Sequence, residues 1–172
     1  LEKNSIKRIT TLAILTAVAL VLGYVESLFP LNFGVPGIKL GLANTAVLLA
    51  IILMGRKEGL LLLLAKVLLS AVLFAGFAGT VYGLAGGLLS WTVMAALKDI
   101  KAFSSVGISV AGAAAHNLGQ ILVAMLLTGS TAIIGYFPIL LISGTIAGVL
   151  TGLIAQALIR ALKMSGKGNN DR

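Results

Sequence analysis

The chain has no cysteine and only five acidic residues among its 172. Without cysteine there can be no disulfide, no thiolate metal site and no cysteine nucleophile. Two of the five acids are aspartates, Asp99 and Asp171, and both lie in polar segments. Paired acids spaced to hold a metal are missing, and a lone histidine, His116, cannot build a multi-histidine site. No glycine-rich loop runs into Lys-Ser/Thr, so nucleotide phosphates have no cradle and ATP hydrolysis is excluded. No metal and no cofactor is expected. Charged residues make up only 10% of the chain, against about a quarter in soluble domains.

Hydrophobic residues fill that gap. They amount to 59% of the chain, with a mean hydropathy of +1.10. They come in runs long enough for a bilayer, which takes roughly 20 residues per helix. The expected fold is therefore an all-α integral membrane protein, a six-transmembrane-helix bundle forming one domain over residues 1–164. Its spans are expected at about 7–29, 38–55, 59–75, 79–97, 105–127 and 136–163, with a polar cytoplasmic tail at 165–172. The first span follows Lys3, Lys7 and Arg8 but shows no A-x-A cleavage pattern, so it reads as a retained helix rather than a signal peptide.

The lysines and arginines orient the bundle. With the N-terminus in the cytoplasm, eleven of the thirteen fall in inner segments; Lys39 lies in an outer connection and Lys66 within a span. This satisfies the positive-inside rule and puts both termini in the cytoplasm. The net charge of +8 is thus a membrane signature, and no nucleic-acid partner is implied.

Small residues predict close helix packing, the main source of association in lipid. Gly144, Gly148 and Gly152 form one row at four-residue spacing, and Gly79, Gly83 and Gly87 form another. Ala13 and Ala17 are also four apart. The connection PLNFGVPG, residues 30–37, is irregular backbone by its prolines and glycines. It is either a plain connector or a lid.

The polar residues within the spans are few. Lys66 lies roughly 10 Å from the inner boundary of its helix. It either snorkels to the headgroups or faces inward toward a partner or ligand, since intramembrane charge costs ~2.5 kcal/mol or more. Span five carries His116, Asn117 and Gln120, with Ser109, Gly112, Ala113, His116 and Gln120 at helical spacing on one face. His116 is either a hydrogen-bonded packing residue or a ligand contact. Glu26 ends span one, Lys39 and Asn44 open span two, and Tyr82 lies in the outer third of span four. Glu26 either pairs with Lys39 at the interface or joins the others. Together these positions suggest an outward-opening cavity floored near Lys66 and His116, suited to a small ligand with an anionic or hydrogen-bond-accepting group.

Three stretches carry a family resemblance: VESLFP at 25–30, PGIKLGLANTAVLL at 36–49 and AHNLGQILVA at 115–124. Nearly the whole chain resembles the Gx transporters, a family also labelled heptaprenyl diphosphate synthase component I. That family is similar in turn to the substrate-binding S components of energy-coupling factor (ECF) transporters. The resemblance implies six helices, an outward pocket lidded by the loop between helices one and two, and an Ala-x-x-x-Ala pattern on helix one that docks the coupling subunit. Ala13 and Ala17 match that pattern, and PLNFGVPG matches the lid position. A prenyl diphosphate synthase needs aspartate-rich clusters for magnesium and diphosphate, and this chain has none. It is therefore expected not to be an enzyme.

The expected function is that of an S component in the cytoplasmic membrane. It would capture a small, partly hydrophobic solute (a vitamin, or a quinone or isoprenoid precursor) and pass it inward with an ECF transmembrane coupling subunit and ATPase subunits. Lys66, His116, Asn117 and Gln120 would hold the polar end of the ligand. Asn44, Lys39, Glu26 and Tyr82 would line the upper pocket, with Phe33 in the lid. The alternatives are a non-catalytic membrane accessory subunit of isoprenoid or menaquinone biosynthesis, and a stand-alone gradient-driven transporter.

Overall fold

A computed structural model describes residues 2–28 and 41–168, with side chains described at 5–28 and 41–162. Lys39, Phe33 and the whole of the PLNFGVPG connection lie outside the described residues.

Most of the described backbone is helical, and the described residues form no strand. Helix α1 spans Glu2–Leu28, α2 Asn44–Leu53, α3 Arg56–Ser70, α4 Gly76–Leu97, α5 Ser105–Thr128 and α6 Phe137–Gly168. Four helical stretches are long and apolar enough to cross a membrane: Ser5–Leu28, Arg56–Leu97, Ser105–Thr128 and Thr131–Leu162. Among the described residues the protein is all-helical, and its four long apolar helical stretches mark it as a membrane protein.

The Arg56–Leu97 stretch doubles back on itself. Five π-helical residues, Ala71–Ala75, follow α3, and Gly76 then takes φ +63°, which breaks the helix. Beyond it α4 runs back along α3, so the Arg56 Nε–H at the start of α3 reaches the Ala95 carbonyl near the end of α4 at 2.9 Å. The reversal expected over Ala75–Gly79 is thus made at one glycine, and α4 starts three residues earlier than the sequence suggests.

Among the described residues α2 starts only at Asn44 and ends at Leu53, within the expected 38–55. Gly41 sits at φ +85°, outside the right-handed helical region, and the carbonyls of Gly41 and Leu42 accept from the Asn44 and Thr45 N–H groups in a turn. A Cβ at position 41 would lie 3.0 Å from the Asn44 amide and 3.2 Å from the His116 ring, so only glycine fits this bend without displacing a neighbour. The helix begins where the bend ends. Its residues Asn44–Ile51 are all buried, and it touches each of the other five helices. A helix apolar on every side belongs inside a bundle, and α2 is the central post of this one.

Helix α5 packs most extensively, with α4 on one side and α6 on the other. The Gly144, Gly148 and Gly152 row sets the α5–α6 contact. A Cβ at Gly148 would come within 2.8 Å of the Val110 backbone, and one at Gly152 within 2.7 Å of Val106. The second glycine row behaves otherwise. Of the three only Gly87 packs tightly on another helix, against Leu63, whereas the α4–α5 approach is made at Gly86 and Gly119, whose backbones nearly touch. At its ends α5 is capped by the Ser104 hydroxyl, which accepts from the Gly107 N–H, and by Gly129 in the left-handed conformation. Before α6 the chain makes a 3-10 turn over Thr131–Tyr136, and α6 continues as helix to Gly168, past the expected end at 163.

Charges gather at one end of the bundle. Arg8 pairs with Glu58, Arg56 with Asp99 at 2.6 Å, and the Lys98 ammonium donates to the Ile51 carbonyl. Glu26, Gly41 and Asn44 lie toward the opposite end.

Candidate functional site

Ten residues along α3 from Arg56, about 15 Å from the charged end, Lys66 turns into the bundle. Its side chain is 9% exposed and its ammonium donates to the Asn44 Oδ1 at 2.7 Å. It does not snorkel. The bond depends on the Gly41 bend, which starts α2 at the depth where α3 presents its lysine.

Beside this pair a narrow cavity opens between α1, α3, α4 and α5, with about 50 Å³ of room for water-sized occupants. Glu26, Lys66, Ser70, His116 and Gln120 supply its polar lining. His116 and Gln120 are 4% and 0% exposed, one helical turn apart on α5, which gives them a shared face. Glu26 reaches across from α1, and its carboxylate accepts from the Gly41 N–H at 2.6 Å. This ties the end of α1 to the start of α2.

The apolar wall is built mainly from small residues. Ala19, Leu20 and Gly23 face it from α1, Ala43 from the bend, Val67 and Phe74 from α3 and its π-helical extension, and Gly79 and Gly83 from α4. Nothing lies within 4 Å of where a Gly83 Cβ would sit. Gly83 therefore leaves room rather than closing a helix contact, and a Cβ at Gly79 would meet only Ala75, one turn back, at 3.2 Å. Phe74 stacks edge-on against Tyr24 with ring centroids 5.5 Å apart.

Of the residues expected to meet a ligand, Glu26, Lys66, His116 and Gln120 line this one cavity, and Asn44 adjoins it through Lys66. Two others point elsewhere. The Asn117 side-chain NH2 donates to the Leu140 carbonyl on α6 at 2.6 Å, and Gly144 has no Cβ because one would fall on that amide. Tyr82 packs with Ile121, Ala124, Ile133 and Leu140 in a separate apolar cluster. Sequence neighbours on a helix diverge by about 100°, so Asn117 cannot share the face of His116. Phe74 carries no sequence signal for this site, and the spacing of Gly79 and Gly83 points to helix packing rather than to a cavity wall. A π-helical insertion leaves no simple sequence signature, although such insertions often mark functional positions. On α1, Ala13 and Ala17 are exposed on the bundle surface.

Among the described residues no three His, Asp or Glu side chains converge as metal ligands would. The chain matches no curated protein and no solved structure. Residues 15–158, the greater part of the sequence, match the family described as heptaprenyl diphosphate synthase component I. That match spans α1 through most of α6, including every residue named in the cavity, and the chain belongs to this family.

Proposed function

We propose that this protein is the substrate-binding membrane subunit of an ECF-type importer, an S component, seated in the cytoplasmic membrane. In this reading the chain crosses six times, with α2 and its preceding residues as one crossing and the Arg56–Leu97 hairpin as two. Both termini are cytoplasmic, since the end that holds Arg8, Arg56 and Lys98 is the positive one. The single observation that carries the proposal is the convergence of Glu26, Lys66, His116 and Gln120 on one apolar-walled cavity.

That lining suits a small amphiphile. Its anionic or acceptor group sits near the Lys66 ammonium and the N-terminal end of α2, both of which favour negative charge. Its apolar portion lies along Gly79, Gly83 and Phe74. Vitamins and quinone or isoprenoid precursors have this shape. The exposed Ala13 and Ala17 offer a flat docking strip for the transmembrane coupling subunit, and separate ATPase subunits supply the energy. The protein itself catalyses no reaction.

A second reading draws on the family's description, which names a component of a prenyl diphosphate synthase. Here the chain is a non-catalytic membrane accessory subunit that holds a greasy substrate for a soluble partner. Affinity purification from membranes, with mass spectrometry of both the retained small molecule and the co-purifying proteins, separates the readings. ATPase and coupling subunits support the importer, and a soluble synthase supports the accessory role. Solute uptake by vesicles containing this chain alone would replace both with a gradient-driven transporter.

A further inference from the structure

We propose a second, buried site behind Lys66 that holds a single water molecule and uses it to fix the Asn44 amide. The inference does not depend on what the larger cavity binds. A lysine ammonium has donors only, so the Asn44 oxygen must face Lys66 and its NH2 must face the other way. On that side Asn44 lines a small pocket with Ser90, Met94, Ser109, Gly112 and Thr151. Two polar atoms here have no hydrogen-bond partner, the Asn44 Nδ2 and the Ser90 Oγ. Asn44 is 8% exposed and Ser90 fully buried. Buried polar atoms are rarely left in that state unless an ordered water satisfies them.

The available space fits one occupant. It amounts to about 10 Å³ for a water-sized molecule, close to the ~10–15 Å³ that one water needs. Gly112 keeps this space open, since a Cβ there would meet Met94 at 2.6 Å and the Ser90 hydroxyl at 3.2 Å.

Proton bookkeeping selects water over an ion. With the Thr151 hydroxyl donating back to the Ala147 carbonyl at 2.8 Å, Ser109, 2.9 Å from Thr151, is the donor of that pair. The Ser109 oxygen then offers only lone pairs. The occupant must accept from Asn44 and donate toward Ser109, while Ser90 can do either. A metal cation cannot accept from the amide and would sit behind an ammonium. A halide cannot donate to Ser109. Water does both, and three polar partners is the usual number for a buried one. Asn44 is thereby a positioning residue, held by water on one side so that its oxygen meets Lys66 on the other.

The test is a crystal structure of the full chain, grown with bromide as the halide, at a resolution that shows waters. The expected result is one peak within hydrogen-bonding distance of the Asn44 Nδ2 and Ser90 Oγ, without anomalous signal. An empty pocket, an anomalous peak, or an Asn44 amide with its oxygen in the pocket each overturns the proposal. In Ser90→Val the added methyl should replace the water and the peak should vanish. Persistence of the peak would also count against the site. Should that variant fail to fold, the map of the unmodified protein decides alone.

Discussion

The Lys66 ammonium and the Asn44 amide oxygen meet at 2.7 Å across the α3–α2 contact, both side chains buried. This bond carries a charge where water is scarce, so its two ends are unequal. Removing the amide takes an acceptor from a buried ammonium, whereas removing the ammonium takes a donor from a neutral oxygen. Asn44→Leu should destabilise the protein by ~1.5–3 kcal/mol, the range for hydrogen bonds to charged groups. Lys66→Met should cost less, and the double variant less than Asn44→Leu alone. Denaturation in detergent measures all three. Equal stability for Asn44→Leu and the unmodified protein would show that the bond is inconsequential.

Two glycines three residues apart on α4 should respond in opposite ways. Gly83 borders open space, and Gly83→Leu should fill the cavity, abolishing retention of a bound small molecule while the midpoint of unfolding stays in place. At Gly86 a Cβ would meet the His116 carbonyl at 2.8 Å. Gly86→Ala should therefore wedge α4 from α5, at the ~1–3 kcal/mol typical of overpacking. A Gly83→Leu protein that still carries the molecule would remove α4 from the site wall.

Asn117 and Lys66 should separate stability from binding. Asn117→Ala loses the bond to Leu140 and should destabilise by about 1 kcal/mol, with retention of the small molecule unchanged. Lys66→Ala should weaken retention and leave the bundle folded. Mass spectrometry of purified variants, set beside their melting curves, reads both quantities. Reversal of the two effects would overturn the placement of the site.

Because the chain has no cysteine, single cysteines report topology cleanly. Ala102 and Thr131 are both exposed, at opposite ends of α5. In intact cells a membrane-impermeant thiol reagent should label Thr131→Cys and should reach Ala102→Cys only after permeabilisation. Labelling of Ala102→Cys in intact cells would invert the proposed orientation.

Which parts of this molecule were legible in advance follows from their physics. The long apolar runs of α1, α5 and α6 announced helices because length and hydropathy suffice for that. The Gly144, Gly148 and Gly152 row announced a helix contact, since three glycines on one stripe leave a groove that another backbone fills. Gly79 and Gly83 have the same spacing and do something else, and spacing alone cannot tell a groove that is filled from one left open. The polar set was half legible for a related reason. Lys66, His116 and Gln120 could be grouped by depth, but the rotation of α5 that sends Asn117 to Leu140 is set by glycine contacts with both neighbouring helices. The late start of α2 was hidden in a single positive φ at Gly41, in a segment whose composition reads as uninterrupted helix.

The position of Asn44 has a bearing on biogenesis. A ribosome delivers α2 before α3, and only Met54 and Gly55 separate the two helices. When Lys66 emerges, its amide acceptor has already been synthesised 22 residues upstream. The hairpin of α2 and α3 can thus hide the ammonium as it enters the bilayer, before α4, α5 and α6 exist to shield it. Exchanging the two side chains between helices would keep the same native bond but send an unaccompanied lysine into lipid first, and its expected signature is poorer insertion yield at unchanged final stability.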